Sequence, residues 1–218
     1  MATHAPRLTR ARRAELLHGI YVILNDGTRL IELADAVLDA GVRIVQYRAK
    51  SGIIAENVRQ LCELTRDYDA LLIVNDDWRA AADLDCDGVH LGPDDAGFVQ
   101  LAPVRAALSE RLIGLSCGTI EEVRLADAAG VDYLGVGSVY STQSKADAGE
   151  PIGIEGLRQV AGASALPVAA IGGIIAPNLP EVRRCGVAMA AFISAISEAK
   201  DPYQAARDLV ALWNGEAP

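Results

Sequence analysis

The sequence has no apolar run long enough to span a bilayer. Its longest, Leu166 to Ile175, is broken by proline and glycine and falls short of the roughly 18 residues a spanning helix needs. Surplus positive charge is also missing. Against 20 Lys and Arg stand 29 Asp and Glu, a formal net charge of -9. That balance argues against nonspecific nucleic-acid or anionic-membrane partners and leaves any anionic ligand to a few placed cations. Cysteine is sparse: Cys62, Cys86, Cys117 and Cys185 form no C-x-x-C pair and no cluster with histidines, so neither a zinc cage nor a disulfide framework is suggested, and a reducing cytoplasm is expected. Nor is there a low-complexity linker or a second-domain boundary. The opening segment, Met1 to Arg13, carries four arginines and no acid. Without a secretion signal's apolar core, it reads as a short basic tail leading into a helix.

What is present is a chain of 218 residues, 51% hydrophobic and 22% charged, able to bury a sizeable core. From Gly19 onward, short apolar runs alternate with helix-length segments. Candidate strands are Ile20–Leu24, Val42–Tyr47, Leu71–Val74, Gly88–His90, Leu112–Leu115, Tyr133–Val136, Val168–Ile171 and Ala188–Ile193. Most are continuous Val/Ile/Leu runs, as in parallel strands covered on both faces. Between them, Leu30, Ile31, Ala34, Val37 and Leu38 recur at helical spacing, as do Val58, Leu61 and Leu64. Several helical segments run into a glycine, at Gly41, Gly130 and Gly186, where a left-handed turn ends a helix. Eight such units predict an α/β fold, a single TIM (β/α)8 barrel over residues 1–218 with the basic tail at its start. Strand counting leaves an open doubly wound sheet as the alternative.

Barrel active sites lie at the C-terminal strand ends, so the polar residues there are the candidates. The second strand runs into Gln46-Tyr47-Arg48-Ala49-Lys50. A period of two puts Gln46, Arg48 and Lys50 on one face and Tyr47 on the other for as long as the strand lasts. The third ends in Asn75-Asp76-Asp77, where a carboxylate either caps the next helix or serves a ligand. The stretch from Asp87 through His90 to Asp94 and Asp95 reads as a second acidic rim, so that the two rims can share one Mg2+. His90 reads as a structural hydrogen-bonding residue. After the fifth strand stand Ser116, Cys117 and Gly118, then Thr119 with Glu122 in capping-box spacing. Cys117 has no base beside it in sequence and is not a nucleophile candidate. The longest loop, Ser141 to Gly153, collects Thr142, Gln143, Ser144 and Lys145 and suits a lid. Gly172-Gly173 and Ile193-Ser194 follow strands seven and eight, the usual phosphate site of such barrels. The rim is thus expected to hold two anions, one near strands two to four with a metal and one near strands seven and eight.

These residues, in this order, resemble the thiamine-phosphate synthase family from about Ile20 to Pro202. The matching motifs are Gln46 to Lys50, Asn75-Asp76, Gly88 to Gly92 with Asp95, Asp132 to Gly135, Thr142 to Lys145, Ala170 to Ile174 and Ile193 to Ile196. The resemblance implies a Mg2+-dependent transferase that joins 4-amino-2-methyl-5-(diphosphooxymethyl)pyrimidine to a thiazole phosphate and releases diphosphate. It assigns Gln46, Arg48, Lys50, Asn75, Ser116 and Lys145 to the pyrimidine diphosphate, with Lys145, Arg48 and Lys50 as the catalytic cations. Tyr47, Ala49 and Gln143 come along as members of the binding runs. Thr142, Ser144, Gly173, Ile193 and Ser194 are assigned to the thiazole phosphate, and Asp76 and Asp95 to the metal. Where the family commonly has leucine, glutamine, threonine and histidine, this chain has Tyr47, Pro93, Ser144 and Gly118. The missing imidazole at Gly118 also bears on the alternatives, a thiazole tautomerase-like relative and a noncatalytic thiamine-phosphate-binding paralogue. Small-molecule substrates are the implied partners, and assembly as a homo-oligomer is left open.

Overall fold

The computed structural model describes residues 8–92, 101–142, 144 and 149–216. Eight parallel strands close on themselves in sequence order: β1 (Gly19–Asn25), β2 (Ile44–Arg48), β3 (Leu71–Asn75), β4 (Gly88–Leu91), β5 (Leu112–Cys117), β6 (Tyr133–Val136), β7 (Val168–Ile171) and β8 (Met189–Phe192). Closure is made by β8 pairing back onto β1, from Gly19 opposite Met189 to Val22 opposite Phe192. This is the TIM barrel and rules out the open doubly wound sheet.

Alternation along each strand builds two apolar layers. Tyr21, Ile23, Ile44, Leu71, Ile73, Leu112, Tyr133, Ala169 and Met189 fill the barrel interior. Their neighbours Val22, Leu24, Val45, Tyr47, Leu72, Val74, Ile113 and Leu134 pack outward against the helices. Both faces are buried, which is why the strands read as unbroken apolar runs; each fully buried Leu, Ile or Val contributes roughly 1.5–3 kcal/mol. Helix endings follow the expected glycine signals, with Gly41, Gly130 and Gly186 at φ of 103°, 73° and 85°. Most strand ends lie within one or two residues of expectation, and the start of β2 shifts by two. Val42 donates its N–H to the Val37 carbonyl at 3.0 Å, closing the preceding helix, so β2 begins only at Ile44.

The N-terminal face is closed by the short helix Arg10–Ala14, whose cap is Thr9. Arg13 is 4% exposed and donates to Asp87 at 2.9 Å and to the Glu110 carbonyl at 2.8 Å. Asp132 accepts from Arg10 at 2.5 Å, from Arg105 at 2.6 Å and from the Ile113 N–H at 2.8 Å. Asp87 was expected at the acidic rim. It precedes β4 instead, at the opposite end of the barrel, as an ion-pair partner of the closing helix. Among the described residues no helix is long and apolar enough to cross a membrane.

Candidate active site

The C-terminal mouth of the barrel takes its chemistry from strand parity. Because Ile44, Ile73 and Leu112 face inward, so do the residues two and four positions on: Gln46 and Arg48 on β2, Asn75 on β3, Ser116 on β5. Gln46 is 2% exposed, while Arg48, Asn75 and Ser116 are half-buried nearer the opening. The alternation stops where β2 stops. Lys50 lies two residues past the strand and is exposed. Tyr47 lies on the other face, as the period of two expects. Tyr47 is fully buried in the outer layer with its hydroxyl on Asp26 at 2.8 Å, and Ala49 packs against the same layer, so neither side chain belongs to the set of ligand contacts.

Asp76 stands directly after β3 at φ 65°, in the left-handed region, with its N–H on the His90 carbonyl at 2.8 Å. It is not the helix cap. That role falls to Asp77, whose carboxylate accepts from the Ala80 N–H at 2.9 Å. Holding an L-residue left-handed costs on the order of 1 kcal/mol, and such cost gathers where position matters more than comfort. Asp95 and Pro93 lie outside the described residues, as do Gln143 and Lys145. Among the described residues no three Asp, Glu, His or Cys side chains cluster as a metal site.

Opposite, the loops after β6, β7 and β8 converge. The Val139 and Tyr140 N–H groups donate to the Ile171 and Gly172 carbonyls at 2.9 Å each, laying the chain after β6 across the end of β7. The glycine pair permits that approach. A Cβ on Gly172 would sit 2.0 Å from Ser138 Oγ, and one on Gly173 would sit 2.7 Å from the Ser141 carbonyl. Their φ values are 98° and 64°. From there Thr142 Oγ1 accepts from the Ser144 N–H at 3.2 Å, and Ser144 Oγ reaches Ser194 Oγ at 3.4 Å. Ile193, at φ -120° and ψ -84°, ends β8 and leads into the helical turn Ser194–Ser197. Thr142, Ser144, Gly173, Ile193 and Ser194 are therefore neighbours, and the glycines also make room for the loop after β6.

Beneath the mouth runs a chain of polar contacts only partly visible in the sequence. Gln46 Nε2 donates to Tyr21 Oη at 2.6 Å, Tyr21 Oη meets Tyr133 Oη at 3.0 Å, and Tyr133 Oη meets His90 Nδ1 at 3.1 Å. His90 Nε2 then meets Ser116 Oγ at 3.1 Å. Room for it comes from missing side chains: a Cβ on Gly114 would lie 2.2 Å from the Tyr133 ring, and one on Gly135 2.8 Å from the His90 ring. Tyr21 carries no signal of its own in the sequence, because an aromatic inside an apolar strand looks like core. Gly114 and Gly135, which leave space for Tyr133 and His90, were the available signal for the rest of the chain of contacts. Burial raises the pKa of both tyrosines, so their hydroxyls stay protonated.

Cys117 faces the outer layer, where burial pushes its thiol up to about 12 and keeps it un-ionised. Thr119 and Glu122 form the expected capping box, and the Glu122 carboxylate also accepts from the Gly118 N–H at 2.6 Å. The site is thus a polar mouth with Gln46, Arg48 and Asn75 on one wall and the hydroxyls of Thr142, Ser144 and Ser194 on the other.

Known proteins share this sequence and shape. The profile of thiamine monophosphate synthase matches residues 20–196. The chain is 48% identical over 186 residues to a thiamine-phosphate synthase of Archaeoglobus fulgidus, covering 83% of this chain and 85% of that one. It is 38% identical over 205 residues to one of Caldivirga maquilingensis, covering 90% and 97%. A thiamine phosphate pyrophosphorylase from Pyrococcus furiosus superposes with a TM-score of 0.83 at 36% identity, over 91% of this chain and 96% of that chain. Barrel, mouth and sequence agree: the chain belongs to the thiamine monophosphate synthase family.

Proposed function

We propose that this chain is a thiamine-phosphate synthase, a transferase that joins 4-amino-2-methyl-5-(diphosphooxymethyl)pyrimidine to a thiazole phosphate and releases diphosphate. The observation that carries the reading is the convergence of Gln46, Arg48, Asn75 and Ser116 on the barrel interior, facing a hydroxyl cluster of Thr142, Ser144 and Ser194, in a member of this family. Arg48 and Lys50 meet the diphosphate, Gln46, Asn75 and Ser116 hold the pyrimidine end, and the hydroxyls with Gly173 and Ile193 seat the thiazole phosphate. Lys145, on the loop from Ser141 to Gly153, covers the diphosphate and excludes water. Cations placed where charge accumulates stabilise the leaving diphosphate, so the pyrimidine methylene is attacked by the thiazole nitrogen without a protein nucleophile.

Asp76 fits a hard cation: a carboxylate held left-handed at a strand end and not used as the helix cap. Asp76 and Asp95 would hold Mg2+, which when bound supplies Lewis-acid stabilisation of the diphosphate oxygens. Four free cysteines and the absence of a spanning helix among the described residues suit a cytoplasmic home, and assembly as a homo-oligomer is compatible with it.

Supplying both substrates with Mg2+ to the purified protein tests the reading, with thiamine phosphate and diphosphate as the expected products. Tight binding of thiamine phosphate by folded protein that turns nothing over would select the noncatalytic paralogue. Isomerisation of the carboxythiazole phosphate without coupling would select the tautomerase. Gly118 favours the synthase over that last reading: among the described residues the only atom near its would-be Cβ is Glu122 Oε2 at 3.7 Å, so a side chain would fit there and none is present.

A further inference from the structure

The polar chain under the mouth has two ends, and both are residues assigned to the pyrimidine substrate. Gln46 lies on β2 and Ser116 on β5, and between them the contacts pass through Tyr21, Tyr133 and His90. Each hydroxyl has one proton to give and each neutral imidazole one N–H. A chain of such groups has a direction, since every member must accept on one side and donate on the other.

We propose that this chain is a directional relay in which His90 is a positioning residue, held as the neutral Nε2–H tautomer so that Ser116 is a hydrogen-bond donor to the pyrimidine substrate while Gln46 keeps its carbonyl as an acceptor. The proposal deepens the synthase reading and rests on it for the identity of the ligand. Gln46 sets the direction. Its amide nitrogen faces Tyr21 at 2.6 Å and can only donate, so Tyr21 gives its own proton onward to Tyr133. Tyr133 then donates to His90 Nδ1, which leaves the imidazole proton on Nε2, facing Ser116 at 3.1 Å. Ser116 accepts that proton's bond and turns its own O–H to the ligand. Neither tyrosine interrupts the sequence by ionising, because burial holds both protonated.

The alternative is a complete reversal. If Ser116 donated to His90 Nε2, the imidazole proton would sit on Nδ1, both tyrosines would turn round, and the Gln46 carbonyl would be spent on Tyr21. No single member can reverse alone without setting two protons against one another or leaving a buried oxygen unpaired, which is costly in a low-dielectric interior. Gln46 and Ser116 are therefore coupled across the barrel, and an aminopyrimidine that donates its amino hydrogen to Gln46 meets a donor at Ser116.

Ring nitrogens report this directly. The chain has three histidines. In protein labelled with 15N-histidine, the His90 signals, assigned by their loss in His90→Gln, are expected to show a protonated Nε2 and a bare Nδ1. A protonated Nδ1 or an imidazolium overturns the proposal. Tyr133→Phe keeps the ring and cuts the relay. It should leave His90 as a mixture of tautomers, with folding checked by its melting transition, and raise KM for the pyrimidine diphosphate about tenfold with KM for the thiazole phosphate unchanged. After Tyr133→Phe, Ser116→Ala should cost less than it does in the parent. Losses that multiply independently would show that the two ends are not coupled. Failure of the synthase reading looks different: the parent protein would not couple its substrates, while the tautomer measurement would stand or fall by itself.

Discussion

At the scale of the residue, two adjacent carboxylates separate cleanly. Asp76 and Asp77 looked equivalent in sequence. Only Asp77 caps the following helix, and only Asp76 is left-handed. Asp77→Ala should cost about 1 kcal/mol of stability, read from a denaturant melt, and leave turnover near normal. Asp76→Asn should do the reverse, since asparagine tolerates the left-handed conformation but gives up the charge: an unchanged melt, and severe loss of activity. If Asp76 and Asp95 share one Mg2+, the double Asn variant should be little worse than the worse single, because groups acting as a unit are not additive. A chelator should abolish activity and Mg2+ restore it. Chelator resistance, or losses that multiply, would mean that the two acids hold no common ion.

At the scale of the element, the loop after β6 crosses the end of β7 beside the proposed thiazole phosphate site. Gly173→Ala would force a Cβ to 2.7 Å from the Ser141 carbonyl at a φ of 64°. We expect a destabilisation on the order of 1–3 kcal/mol and a raised KM for the thiazole phosphate, with KM for the pyrimidine diphosphate little changed. An unshifted KM would show that the loop does not position this subsite. Further along the same loop, Lys145→Ala should fold normally yet lose roughly 10²–10³ in turnover, as for other single charge-stabilising donors. The strands and their inward residues were legible because alternation and apolar runs are local signals. Asp87 was misplaced because it precedes its strand, whereas Tyr47 was legible, since the period of two already turns it to the outer face. What fills the space beside Gly173 could not be read locally, because Ser141 and Tyr140 stand some thirty positions away.

At the scale of the whole molecule, the barrel separates stability from chemistry by its two ends. Arg13 is buried at the closed end with Asp87, opposite the mouth. Arg13→Ala should destabilise by about 3 kcal/mol, measured by equilibrium unfolding, because it strands a partly buried carboxylate. Its kcat under native conditions should equal that of the parent, and a fall in kcat without a fall in stability would refute the separation. Yet the two ends meet in one strand. Asp132 clamps β6 to β5 through both its backbone N–H, on the Ile113 carbonyl at 2.7 Å, and its carboxylate, on the Ile113 N–H. The next residue is Tyr133, the midpoint of the polar relay. A slip of β6 by a single residue would turn Tyr133 out among the helices and swing Leu134 into the barrel. The arginine-ringed carboxylate at the floor is thus an alignment key, and a folding chain that seats it has already decided which way the tyrosine above will face.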